Sequence, residues 1–112
     1  MAFRRFFKKN PDIYKKIYSI LDKNNHKDFL KCYEIFVNYI DDDNMLKKIN
    51  VDTLITTGEK DVGSTPEMSE NLSKMIQRSQ FTKIKEGKHL CSIECAKDVN
   101  MVFKKFIDRC NV

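Results

Sequence analysis

Glycine and proline are scarce in this chain, at 3 and 2 of 112 residues, against usual shares of about 7% and about 5%. That scarcity excludes collagen-like and linker-like chains and disfavours a turn-rich all-β sandwich, so helix should dominate. Long apolar runs are lacking as well. Lys, Asp or Asn interrupts every candidate before the roughly 18 residues that a membrane span needs, so no membrane partner is expected. Neither an apolar h-region nor a small-residue cleavage site follows the basic start Met1–Asn10, and secretion has no support. Ligand sets are missing too. Cys91 and Cys95 lack a second close Cys or His pair to complete a zinc site. The carboxylates of Asp41-Asp42-Asp43-Asn44 lack the ligand spacing and Gly turn of a calcium loop. No metal and no cofactor are expected. The four cysteines, Cys32, Cys91, Cys95 and Cys110, read as reduced, structural thiols of a cytoplasmic chain.

What is present suits one domain-sized globular chain. Apolar residues make up 41% and charged residues 33%, a balance that permits a core and argues against wholesale disorder. The net charge of +5 comes from 21 basic and 16 acidic residues. Arg4, Arg5, Lys8 and Lys9 stand among Phe3, Phe6 and Phe7 with no acid nearby. Such an arm could touch nucleic acid or an anionic surface. Beyond Asn10, however, 17 basic residues face 16 acidic ones, and no extended basic stripe remains. The preferred reading is therefore a helix with Phe on one face, and no nucleic-acid partner.

By pattern the chain divides near residue 50 into a helical segment, 1–49, and a mixed segment, 50–112. In the first, Asn10-Pro11-Asp12 signals a helix start, with Asn as N-cap and Pro at the first helical position. Ile13, Ile17, Ile20 and Leu21 recur at helical spacing. Asn24-Asn25 breaks this helix. A second one, from about Lys27, carries Phe29, Leu30, Tyr33, Ile35, Phe36, Val37 and Ile40 as a broad apolar face. The acid run at 41–43 opposes the negative end of a helix dipole and should end it in a solvated loop. From Val51 the texture changes. Val51–Thr57 is β-branched and short and reads as a buried strand stopping at Gly58. Ser64-Thr65-Pro66-Glu67 opens a capped helix, striped by Met68, Leu72, Met75 and Ile76. Phe81–Ile84 is a second short strand, and a last helix from about Cys95 carries Val99, Val102, Phe103, Phe106, Ile107 and Cys110. Strand, helix, strand, helix implies a crossover and a parallel pair. A parallel sheet is rarely so small, so this unit looks like the edge of a larger sheet.

Asp61 and His89 fall in equivalent places, each in the loop after a strand of that pair. Catalytic and ligand groups of open α/β sheets gather at those strand ends. A carboxylate there can hold an imidazole in one tautomer while the imidazole acts as a general base. The same two residues also read as a loop Asp making an Asx-turn and a solvent-facing His.

The stretches "VDTLITTGEKDVGSTPEMSENLSKMI" and "FTKIKEGKHLCSIECAKDVNMVFKKFI" resemble the C-terminal part of an α/β-hydrolase, in its esterase and enol-lactonase-like branch. The resemblance covers residues 51–107: a Thr-Leu-Ile strand ending in Gly-x-x-Asp, a capped helix, a short strand, Gly-x-His and a last amphipathic helix. Residues 3–49 are similar, more loosely, to the last helices of that family's cap. The resemblance implies a partial α/β-hydrolase fold, a cap-derived helical part followed by a β-α-β-α edge of a parallel sheet. It implies Asp61 as triad acid and His89 as triad base, with Ser64, Thr65 and Met68 near the mouth of a substrate site. Glu94 would fix the loop after His89, and Asn100 would be structural.

One departure decides the expectation. The family's nucleophile sits on a Gly-x-Ser-x-Gly elbow and precedes acid and base in the chain. With only Gly58, Gly63 and Gly87, no such motif can be written here. The expected function is thus that of a C-terminal fragment of an α/β-hydrolase for small esters or lactones, holding acid and base without the nucleophile. Two alternatives stand beside it: one subunit of a split hydrolase, or a non-catalytic small basic interaction protein. The exposed sheet edge discriminates between the first two: a fragment should self-associate through it, and a split partner should bind it.

Overall fold

The computed structural model describes residues 4–40 and 42–110. It divides into two compact units, Met1–Asp41 and Asp42–Val112.

The first unit holds three helices, α1 (Arg4–Lys9), α2 (Pro11–Asp22) and α3 (His26–Asn38). In α1, Arg4, Arg5, Lys8 and Lys9 are exposed while Phe6 and Phe7 are half-buried; Phe3 lies outside the described residues. Pro11 begins α2 as expected, because its missing N–H is one that no helical carbonyl could accept. Asn10 stands at the N-cap without capping; its side-chain amide donates instead to the Phe6 carbonyl at 2.9 Å. Asn25 makes the cap that Asn10 does not, accepting from the N–H groups of Lys27 and Asp28 at 3.0 and 3.3 Å. The apolar stripes form but bury little. Phe29, Tyr33 and Phe36 run along α3 as a row of neighbouring rings and stay 56, 54 and 76% exposed.

The second unit opens with a short helix, α4 (Asp43–Lys47). Here the expectation for the acid run is corrected: Asp42 caps α4, accepting from the Asn44 N–H at 2.9 Å, and Asp43 sits in the first turn. A carboxylate that would oppose the end of one helix favours the start of the next; Asp41 lies outside the described residues. Then follow β1 (Thr53–Gly58), α5 (Pro66–Met75), β2 (Ser79–Ile84), α6 (Cys91–Glu94) and α7 (Ala96–Cys110). The two strands pair in parallel, Thr53 against Ser79 through Gly58 against Ile84. Helix α6, one turn after His89, was not foreseen.

Helices α5 and α7 lie on opposite faces of the sheet. Consecutive strand residues point to opposite sides: the Ser79 hydroxyl donates to the Ser73 carbonyl of α5 at 2.7 Å, while Gln80 accepts from Arg109 of α7. The core is small, with Ile55, Ile76, Ile84 and Val99 buried. No cysteine among the described residues is paired, and Cys32 and Cys110 are exposed. No helix among the described residues is long and apolar enough to cross a membrane.

Candidate functional site

Two loops meet at the C-terminal ends of β1 and β2, and backbone bonds lace them together. The Glu59 N–H donates to the Ile84 carbonyl at 2.9 Å and the Lys60 N–H to the Gly87 carbonyl at 2.8 Å. Side chains repeat the lacing. Glu59 accepts from the Glu86 N–H at 3.0 Å, and the Lys60 ammonium donates to Glu86 at 2.5 Å. Those bonds hold Glu86 in the left-handed region, at φ 59°, where a non-Gly residue needs outside support. Gly58 and Gly87 permit the close approach. A Cβ on Gly58 would lie 2.4 Å from the Gly87 carbonyl oxygen and 2.6 Å from that of Lys88.

This lacing delivers Asp61 and His89 to each other. The Asp61 carboxylate is buried, 7% exposed, and its Oδ2 stands 3.0 Å from His89 Nδ1. Its other oxygen accepts from the N–H groups of Gly63 and Ser64 at 2.9 and 3.0 Å. Thr57, itself buried, donates its hydroxyl to the Ser64 carbonyl at 2.8 Å and ties the same loop to β1. The Asx-turn and the acid–base pair, alternatives in the sequence, coexist here because a carboxylate has two oxygens. Burial opposes the charge on Asp61. The two backbone N–H groups and His89 outweigh it, and the net effect holds Asp61 below its ordinary value of 3.8. His89 carries the opposite exposure, with its side chain 61% accessible. A buried, anchored acid thus orients an accessible imidazole. With Nδ1–H donated to Asp61, Nε2 keeps its lone pair for a proton from another group.

The remaining residues singled out in the sequence lie nearby along the chain. Ser64 joins the Asp61 cradle through its N–H. Thr65 caps α5, its hydroxyl accepting from the Met68 N–H at 3.3 Å. Met68 is 60% exposed in the first turn of α5. Glu94 contributes its N–H to the Leu90 carbonyl at 2.9 Å, and its buried Oε2 has no hydrogen-bond partner among the described residues. Asn100 is exposed on α7. Gly63 was missed: it donates to Asp61, and a Cβ there would sit 3.6 Å from Asp61 Oδ1 and 3.9 Å from His89 Nδ1. Its spacing two residues after Asp61, the Asx-turn spacing, was the available signal. No group of three metal-ligating side chains occurs among the described residues.

No family model and no curated protein matches the chain. Among solved structures it is similar to a thermophilic esterase from Thermogutta terrifontis, determined with malate bound, at 26% identity and a TM-score of 0.60. The match covers 62% of this chain and 25% of that one. The chain therefore spans about a quarter of the esterase's length.

Proposed function

We propose that this chain supplies the acid and the base of a hydrolase for small carboxylic esters or lactones. The observation that carries the reading is the 3.0 Å contact between buried Asp61 and exposed His89 at the ends of two adjacent parallel strands. The likeness to an esterase supports it, as does the order strand–Asp–helix–strand–His of an α/β-hydrolase core. The 112 residues contain no Gly-x-Ser-x-Gly elbow, so the nucleophilic hydroxyl comes from further polypeptide, in the same chain or in a partner.

Asp61 accepts the Nδ1–H of His89 and fixes the tautomer that leaves Nε2 free. Nε2 takes the proton from the nucleophile's hydroxyl as its oxygen bonds to the acyl carbon. Asp61 stabilises the imidazolium that results. The Nε2 proton then goes to the departing alkoxide as its bond to the acyl carbon breaks, and water repeats the sequence to release the acid. Ser64, Thr65 and Met68 would border the acyl or alcohol group. This chemistry needs no cofactor, and the unpaired thiols suit a reducing cytoplasm.

The test reads the coding frame upstream of Met1 for the elbow and assays the longer polypeptide with p-nitrophenyl esters. The isolated 112 residues should stay at background, and His89→Ala in the longer enzyme should lower kcat by about 10⁶-fold. Hydrolysis that survives His89→Ala would refute the reading.

A further inference from the structure

The turn that leads into the His89 loop carries a residue its backbone does not favour. The Gly87 N–H donates to the Ile84 carbonyl at 3.1 Å and closes a tight turn with Lys85 and Glu86 in its middle. Glu86 stands third in that turn at φ 59°, a place where turns with positive φ favour Gly or Asn. Glycine would suit this backbone better, so what Glu adds there is its carboxylate. That carboxylate accepts from the Lys60 ammonium, while the Glu86 N–H donates to the Glu59 carboxylate at 3.0 Å. Both contacts reach across to one place, the two residues just before Asp61.

His89 depends on that turn for its position. Its side chain is 61% accessible, so packing does not fix the ring. After it, the chain is tied by the Cys91 N–H to the Lys88 carbonyl at 2.9 Å. Before it, the chain is tied to residues 59 and 60. An exposed ion pair adds little to stability, and the Lys60–Glu86 pair is 51 and 63% exposed. Its effect is positional. Lys60 precedes the acid by one residue and Glu86 precedes the base by three, so the pair fixes the two loops where the acid–base distance is set. The hydrogen bond between them, and then their opposite charges, hold Lys60 above its ordinary 10.5 and Glu86 below its ordinary 4.5. Both therefore stay charged through the range in which an imidazole titrates.

We propose that Glu86, with Lys60 and Glu59, is a positioning clasp for the base: it holds the His89 loop against the Asp61 loop so that Nδ1 meets the carboxylate and Nε2 is presented to the reacting hydroxyl. The role of Nε2 rests on the hydrolase reading above, whereas the hold on Nδ1 does not depend on it. Lys60, Lys85 and Lys88 all lie within electrostatic reach of the Glu86 carboxylate. Without it these cations repel one another, and the two loops are pushed apart.

Ring-nitrogen NMR of His89 in the 112-residue protein tests the hold on Nδ1. Glu86→Gly should leave the urea midpoint where it is or raise it, because glycine accepts φ 59° without strain. The same variant should lose the Nδ1–H pattern, its ring shifts moving to the average of the two tautomers. Lys60→Met should do likewise, and Lys60→Arg, which keeps a charged donor, should retain the parental pattern. In the longer enzyme, Glu86→Gly and Lys60→Met should each lower kcat about 10- to 100-fold with KM unchanged. Parental ring shifts in either of those two variants, a shift that comes only with a fallen urea midpoint, or no rescue by Lys60→Arg would overturn the proposal. So would an unchanged kcat in an enzyme that His89→Ala disables. The hydrolase reading fails separately, when His89→Ala leaves hydrolysis intact, and the ring shifts judge the clasp in either case.

Discussion

Replacing Asp61 tests whether the site loop is built around one carboxylate. Asp61→Ala removes three contacts at once: the N–H groups of Gly63 and Ser64 at 2.9 and 3.0 Å, and His89 Nδ1 at 3.0 Å. A hydrogen bond to a charged acceptor is worth about 1.5–3 kcal/mol when that acceptor is removed, but this loop is partly exposed and water replaces some of it. His89, 61% accessible, adds at most about 0.5–1 kcal/mol. The summed loss is about 2–4 kcal/mol. With a urea slope of about 1.5 kcal/mol/M, the unfolding midpoint should fall by about 1–3 M. Asp61→Asn separates the roles. Its carbonyl oxygen can still accept from Gly63 and Ser64, while its amide turns an N–H towards His89 Nδ1. Stability should then drop by no more than about 1 kcal/mol, and His89 should move its proton to Nε2, visible in the ring nitrogen shifts. An alanine cost below about 1 kcal/mol, or an asparagine cost equal to it, would refute the view that the backbone cradle and the imidazole use different carboxylate oxygens.

The charge on Asp61 also sets an acid limit. Because its folded value lies below 3.8, it stabilises the fold above about pH 4, and that contribution is lost as pH falls through the lowered folded value. Stability measured from pH 5 down to pH 2 should decline, and Asp61→Asn should flatten part of that slope. At the strand ends, Gly58→Ala sets a Cβ 2.4 Å from the Gly87 carbonyl oxygen, a backbone atom that no rotamer change can move. A loss of about 2–4 kcal/mol is expected, with the His89–Asp61 contact weakened in NMR titration; an alanine variant as stable as the parent would show that the loops can separate.

Much of this was written locally. Pro11, the Thr65 cap and the β-branched run before Gly58 each act within a few residues, so their elements could be placed from the chain alone. Boundaries moved by a residue or two where caps compete. The Asn25 side chain accepts the capping bonds before α3, whereas Asn10 before α2 donates back to Phe6, and Asp42 starts a helix where a loop was expected, because such a side chain can bond either neighbouring stretch of backbone. The apolar faces of α2 and α3 were legible as stripes. Their lack of burial was not, since a stripe records what a helix can cover and not whether anything covers it.

The same division runs through the site. Sequence by itself determined that Asp61 and His89 each follow a strand, that the strands run parallel, and that no Gly-x-Ser-x-Gly elbow is present, since these rest on order and spacing. Only the tertiary structure decided that the two side chains touch, that the acid is buried while the base is open, and that Gly63 and Ser64 hold the second carboxylate oxygen. Those facts depend on two loops 28 residues apart meeting through Gly58 and Gly87. Contact across such a separation is governed by how closely two backbones can pass, which no run of neighbouring residues encodes.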